Sequence, residues 1–306
     1  MYDIVEVPLD AAELSEQMGT KYKFWYSDEH RGQSLFKEGR PQTGENWAEV
    51  VAARLATAIA LPHATYELAR CGARLGVVSP TIVPTDGRLI HGNEVLSSVN
   101  ADYGAGDVAW YRQRAHTLAR VVGYFKIVDE LINPPMGFET TGQIKSALDV
   151  FVGYLMFDAW IANQDRHDEN WALIRDGNGK SFLAPSYDHG SSMGRNETDE
   201  RRKQRLTTKD AGLHISAYVC RARSAFYPLG ASAKTKPLLT LDAFAGGAKI
   251  VNLAAQEWRE RLADCSVAQI DEIIEPLPDD IASPTTKEFT KELLRLNRQS
   301  ILNLKW

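Results

Sequence analysis

Apolar and polar positions along the chain change period twice, and the changes divide it. Residues Tyr22–Ser27 alternate aromatic with polar side chains, as a half-buried strand does. The stretch from Asp28 to Gln33 has turn composition, and Ser34–Lys37 then reads as a returning strand, which makes a hairpin. Residues Gly39–Gly44 hold Pro41 and two glycines and predict a loop. From Asn46 to Ala60 the period becomes helical: Trp47, Val51, Leu55 and Ile59 recur every four residues and form one apolar stripe, ended by Leu61-Pro62. Thr65–Ala69 and Arg74–Val78 predict two more strands joined near Gly72, and Ile82–Gly92 holds a turn at Thr85-Asp86-Gly87.

Beyond about residue 94 the pattern is mainly helical. The spacing predicts long helices over Ala109–Leu131 and Thr141–Asn163, closed in the first case by Asn133-Pro134-Pro135. Two short apolar runs, Trp171–Ile174 and Ser181–Ala184, flank Asp176-Gly177-Asn178-Gly179, which is a hairpin signal. Arg195–Arg205 is densely charged and predicts a mobile loop or a solvated helix, and Asp242–Ala263 and Ser283–Leu304 predict closing amphipathic helices. The expected class is α+β, with a strand-rich part over residues 1–93 and a larger helical part over 94–306.

Composition narrows the field by exclusion. A chain of 306 residues with 44% hydrophobic and 25% charged residues can bury a real core. A net charge of -5 gives no support for a nucleic-acid-binding surface. The three cysteines, Cys71, Cys220 and Cys265, form no CxxC pair, so neither a disulfide framework nor a zinc site is expected, and a cytoplasmic setting fits. The N-terminus has early acidic residues and no apolar run of signal-peptide type, and no apolar run of membrane-spanning length occurs.

The chemistry is concentrated in Asn163-Gln-Asp-Arg-His-Asp-Glu-Asn170 and in Tyr187-Asp188-His189-Gly190. The first places a carboxylate at Asp165 and an amide at Asn170; a second carboxylate, Asp188, follows eighteen residues later. Phosphoryl transfer needs such an inventory: one acid to orient the attacking hydroxyl, and an oxygen-rich pair to hold magnesium. Asp165 is the candidate catalytic residue; Asn170 and Asp188 are the candidate metal ligands. An Asp in a turn is common loop chemistry, and it is the register of the three that carries the reading. Gly190 is expected to permit the backbone reversal that turns Asp188 to a cleft. His167 is expected to hold the loop by a hydrogen bond, and Arg166 to be a salt-bridge partner. Lys37, on a strand, is the candidate nucleotide lysine. Glu49, twelve residues on, is its expected helical partner, with Glu45 as rival. Gly32, Gln33 and Ser34 form the expected turn above Lys37, whose backbone N–H groups could cradle phosphates.

Asn163-x-Asp165-x-His167-x-x-Asn170 followed by Asp188 in a Tyr-Asp-x-Gly context resembles the catalytic and metal-binding segments of HipA-like kinases. Asp165-Arg166-His167 with Asp188-His189-Gly190 is also similar to the Asp-Arg-His and Asp-Phe-Gly segments of phosphatidylinositol kinases. Gly19-Thr20-Lys21 and Leu89-Ile90-His91-Gly92 resemble segments of short HipA-related bacterial proteins. The resemblance is sharp over residues 151–194, moderate over 20–60 and weak elsewhere. It implies a bilobal protein kinase-like fold and an ATP- and Mg2+-dependent serine/threonine protein kinase. Asp165 would be catalytic, Asn170 and Asp188 would be magnesium ligands, and Lys37 would be the ATP lysine. It further implies a protein substrate with a Ser/Thr hydroxyl, autophosphorylation in the phosphate-loop region at Ser34 or Ser27, and a toxin role with a small antitoxin protein as partner. Full-length HipA proteins carry an additional N-terminal subdomain, which this chain is expected to lack. Alternatives from the same residues are a small-molecule or lipid kinase, a pseudokinase binding module, and nucleotidyl transfer. The basic run Arg201, Arg202, Lys203 and Arg205 is interrupted upstream by Glu197, Asp199 and Glu200, which fits a solvated face better than a headgroup site.

Overall fold

The structure is a computed structural model and describes residues 2–12, 14–15, 22–104 and 113–306. Gly19-Thr20-Lys21 lies outside the described residues. The first part holds β1 (Ile4–Glu6), β2 (Leu14–Ser15), β3 (Lys23–Asp28), β4 (Gly32–Glu38), α1 (Glu45–Ala58), β5 (Glu67–Cys71) and β6 (Arg74–Pro80). Its strands form one sheet in the order β1-β5-β6-β4-β3-β2. The two-residue period of the strands explains what this sheet does. One face buries Phe24, Tyr26, Phe36, Ala69 and Val78 together. The other face presents Trp25, Leu35, Lys37, Val77 and Ser79 to a cavity. Register places Lys37 opposite Val77 and Leu35 opposite Ser79.

The rest of the chain adds β7 (Arg88–His91), α2 (Gly92–Val99), α3 (Leu118–Ile127), β8 (Ile132–Asn133), α4 (Ala147–Ile161), β9 (Ala172–Arg175), β10 (Ser181–Leu183), α5 (Asp199–Thr207), α6 (Ile215–Val219), α7 (Thr240–Ala248), α8 (Asn252–Asp264), α9 (Val267–Ile274) and α10 (Pro284–Leu302). A second sheet runs β7-β9-β10-β8. Helix α4 is the axis of the core: every residue but Asp149 is buried. An apolar surface on all sides suits a helix packed all round, here against α7, α8 and α10. Ser146 and Asp149 close a capping box at its start, and Ala162 ends it in the left-handed conformation, at φ 54°. The chain therefore turns sharply into the segment that carries Asp165.

Most predicted elements are present, with shifted limits. The hairpin over Trp171–Ala184 is β9 and β10, paired antiparallel, and the charged run contains a helix, α5. Two predicted helices differ. In place of a helix over Ala109–Leu131, α3 begins only at Leu118, with the Thr117 side chain capping the Arg120 N–H; residues 109–112 lie outside the described residues. The cause is tertiary: the Thr117 backbone bridges Tyr227, and the His116 ring stacks on Phe226 in the core. The predicted helix over Asp242–Ala263 is split into α7 and α8. Gly246 and Gly247 lie against Leu118 and Val152, with no room for a Cβ, and glycines weaken the helix where it ends. Among the described residues no helix is long and apolar enough to cross a membrane.

Candidate active site

A cavity of about 470 Å³ lies beneath the first sheet, and Lys37, Asp165, Asn170 and Asp188 all stand on its wall. Chain segments more than a hundred residues apart converge there, so each carries its own local reason.

Lys37 projects from β4 and donates to Asp188 Oδ1 at 2.5 Å, with Glu49 Oε1 at 3.5 Å. Glu49 is 2% exposed, and its Oε2 accepts the His189 N–H at 2.7 Å. One buried carboxylate of α1 thus contacts the nucleotide-lysine candidate and the backbone beside Asp188. The rival, Glu45, is used elsewhere: it pairs with Arg40 and Arg195. Burial works against the Lys37 ammonium, but the charges of Asp188 and Glu49 outweigh it and hold its pKa up, at about 12. Burial pushes Glu49 up to about 7; Lys37 opposes this and Asp188 adds to it.

Asp188 itself adopts the left-handed conformation, at φ 55°, and its N–H donates to the Tyr66 hydroxyl at 3.1 Å. This corrects the expectation for Gly190, which is not among the positive-φ glycines. A Cβ on Gly190 would lie 3.2 Å from Glu49 Oε1, so what the glycine supplies is room for that carboxylate.

The Asp165 loop is held mostly by its own groups. The Asn163 side chain accepts the Asp165 N–H at 3.2 Å, and the Asp165 carbonyl accepts from the His167 N–H at 2.8 Å and from Asn170 Nδ2 at 2.6 Å. With its nitrogen so engaged, Asn170 has its amide oxygen left for other work. His167 Nδ1 accepts the Glu169 N–H at 3.1 Å, and Nε2 lies 3.9 Å from Asp165 Oδ1, so its hydrogen bond holds the loop. The Asp165 side chain is 46% exposed and reachable from solvent. The Ser191 hydroxyl donates to its Oδ2 at 3.0 Å.

Arg166 is buried. It clasps Asp158 of α4 with Nε and Nη2 at 2.8 and 2.7 Å, donates to the Asn170 carbonyl at 2.9 Å, and donates to Ser186 Oγ at 2.9 Å. Ser186 Oγ in turn meets His189 Nε2 at 2.7 Å. Burial and the Arg166 charge hold His189 well below the usual imidazole range, so the ring is neutral.

Gly32, Gln33 and Ser34 are not on the cavity wall. The hairpin loop is Glu29–Arg31, where Asp28 Oδ1 accepts the N–H groups of His30 and Arg31 at 2.9 Å. The three residues open β4 instead, in register with Asp28, Ser27 and Tyr26 of β3. Ser34 is buried, and its hydroxyl donates to the Gly32 carbonyl at 3.2 Å. In the basic run, Arg202 bonds Thr286 and the Gly194 carbonyl, and Arg205 pairs with Glu197.

Sequence reasoning missed Asp158, Tyr66 and Ser191. Asp158 had a signal: it is an acid in the otherwise apolar run Tyr154–Ile161, and a buried charge needs a partner. Tyr66 and Ser191 had none, since only the folded chain brings them to Asp188 and Asp165.

No protein-family model matches this sequence, and no curated protein matches it. Solved structures do. The Helicobacter pylori proinflammatory kinase CtkA is 15% identical with a TM-score of 0.73, over 98% of this chain and 96% of that one. HipA of Shewanella oneidensis MR-1, solved as a toxin–antitoxin complex with HipB and operator DNA, is 14% identical with a TM-score of 0.57, over 96% of this chain and 68% of that one. The chain thus has a HipA-like kinase fold, an α+β architecture of the kinase-like kind.

Proposed function

We propose that this chain is an ATP- and magnesium-dependent kinase that transfers the γ-phosphate to a protein serine or threonine. The observation that carries the reading is the convergence of Lys37, Asp165, Asn170 and Asp188 on one cavity. The donor set suits a hard cation: a carboxylate of Asp188 on the cavity wall and the Asn170 amide oxygen. Asp188 and Asn170 would hold magnesium there, and the ion would supply positive charge against that of the nucleotide phosphates. Lys37 would supply a fixed ammonium to the same phosphates, and Glu49 would keep it aimed while anchoring the backbone beside Asp188. Asp165, solvent-reachable, would orient the acceptor hydroxyl and take its proton as the new ester bond to the γ-phosphorus forms and the γ-phosphorus–oxygen bond to departing ADP breaks. On this reading residues 1–93 form the ATP-binding lobe and 94–306 the helical lobe.

A protein acceptor is favoured over a membrane lipid because the basic run that follows Asp188 in sequence is internally committed at Arg202 and Arg205. A toxin role with a small antitoxin partner enters by likeness to HipA, whose structure holds HipB. Autophosphorylation at Ser34 would require the hairpin to open, since that hydroxyl is buried. The intact mass after incubation with ATP tests it, and no gain removes it.

The test of the whole reading uses ATP labelled at the γ- or the α-phosphate, with magnesium. Label should pass to acceptor from the γ-position alone; transfer of α-label would mean nucleotidyl transfer. Asp165→Asn should lower turnover by roughly a thousandfold or more while nucleotide affinity changes little. Full activity in that variant would overturn the assignment.

A further inference from the structure

Ser191 stands three residues past Asp188 and reaches back to the other loop. Its hydroxyl donates to Asp165 Oδ2 at 3.0 Å, and its carbonyl accepts the Gln164 N–H at 3.3 Å. Two residues on, the Met193 N–H donates to the Ile161 carbonyl at 2.8 Å. At its other end the same segment is tied to Tyr66 through the Asp188 N–H, and to Glu49 of α1 through the His189 N–H. Residues 188–193 thus form a strap, fastened at one end to the elements around Lys37 and at the other to the loop of Asp165.

A carboxylate that is 46% exposed can turn about its side-chain bonds unless a donor holds it. The Ser191 hydroxyl is such a donor. With Oδ2 engaged, Oδ1 is left to accept from an incoming hydroxyl. Ser191 lines the same cavity as Lys37, Asn170 and Asp188, whereas the next residue, Ser192, is buried. The side chain that meets Asp165 is therefore set by the register of the strap.

We propose that Ser191 is a positioning residue for phosphoryl transfer: its hydroxyl fixes the Asp165 carboxylate for the acceptor and couples that carboxylate to the elements that hold Lys37. The proposal rests on Asp165 as the catalytic carboxylate.

The test compares Ser191→Ala, Ser191→Thr and Asp165→Asn. Turnover of γ-labelled magnesium-ATP is followed onto dephosphorylated casein, the chain itself and water. Binding of a non-hydrolysable ATP analogue is measured by calorimetry, and crystal structures of the two Ser191 variants are solved without nucleotide. Ser191→Ala should lower kcat roughly ten- to a hundredfold, the loss of one hydrogen bond to a charged group. KM for ATP and analogue affinity should stay within about twofold. Ser191→Thr, which keeps the hydroxyl, should restore most of the rate, and in the Ser191→Ala crystal the Asp165 carboxylate should rotate or split.

An unchanged kcat with an unmoved carboxylate would overturn the proposal. So would a faster Ser191→Ala, which would make the serine a plug, or phosphate mapped to Ser191, which would make it an acceptor. If Asp165→Asn keeps full turnover, the reading beneath falls. If Asp165→Asn is dead and Ser191→Ala is fully active, only the role of Ser191 falls.

Discussion

Two charged clusters beside the same cavity residues differ in what their charges are for. Arg166 and Asp158 are both almost fully buried, come from α4 and the loop that follows it, and spend their hydrogen bonds on each other and on neighbouring protein groups. Lys37 and Glu49 come from the neighbouring elements β4 and α1 and Asp188 from far along the chain, and Asp188 keeps 36% of its side chain exposed. In the first cluster an aligned two-point contact offsets the cost of burial. In the second, one cation lies between two acids, and burial already pushes Glu49 up to about 7. The first is a closed structural joint. The second keeps a carboxylate and an ammonium facing a cavity, where a ligand can exchange for their mutual contact. Arg166, although adjacent to Asp165, belongs to the joint.

That contrast can be broken most sharply at Asp158. Asp158→Ala leaves a buried guanidinium without its partner and should cost about 3–5 kcal/mol of unfolding free energy, read by urea denaturation. Replacing both, as Asp158→Leu with Arg166→Met, should recover most of that loss, because it is the stranded charge that is costly. A loss under about 1 kcal/mol in the single variant would mean the pair is no joint. Lys37→Met should invert the balance: turnover falls roughly a hundredfold, while stability falls by much less than in Asp158→Ala. Glu49 can accept a proton where Arg166 cannot lose one. Equal stability losses in the two variants would erase the distinction.

His116, buried apart from both clusters, shows the effect of burial where it outweighs the opposing charge of Asp168. Trp171 Nε1–H donates to its Nε2 at 3.2 Å, so Nδ1 carries the proton toward the Ala225 carbonyl at 3.1 Å. Burial lowers its pKa from 6.5 to about 4. A lowered folded-state pKa means the folded chain binds fewer protons, so this contribution is whole above 6.5 and is lost as pH falls through about 4. It amounts to at most about 3 kcal/mol. His116→Gln should flatten the acid limb of stability over that window, as followed by denaturant unfolding at several pH values; an unchanged limb would place the dependence elsewhere.

Periodicity made α1 legible because Trp47, Val51 and Leu55 share one stripe, and that stripe is buried. It made β9 and β10 legible through the turn residues between them. It overran at α3, because the residues before Leu118 are helical in pattern but held by Tyr227 and Phe226, over a hundred residues away. At the candidate site, the spacing of Asp165, Asn170 and Asp188 was visible because one local loop and one hairpin bring them together. The choice of Glu49 over Glu45 was not. Both lie one helical turn apart on α1, and what separates them is that Arg40 and Arg195 reach Glu45 first.

By itself the sequence determined segments such as α1 and the β9–β10 hairpin and the chemical kinds of group gathered near residues 163–190, since both depend on side chains close along the chain. Tertiary structure decided which acid meets Lys37, that Asp188 rather than Gly190 takes the left-handed backbone, that Ser34 is buried, and that Ser191 faces Asp165. Each of those depends on distances between segments far apart in sequence, and packing sets such distances.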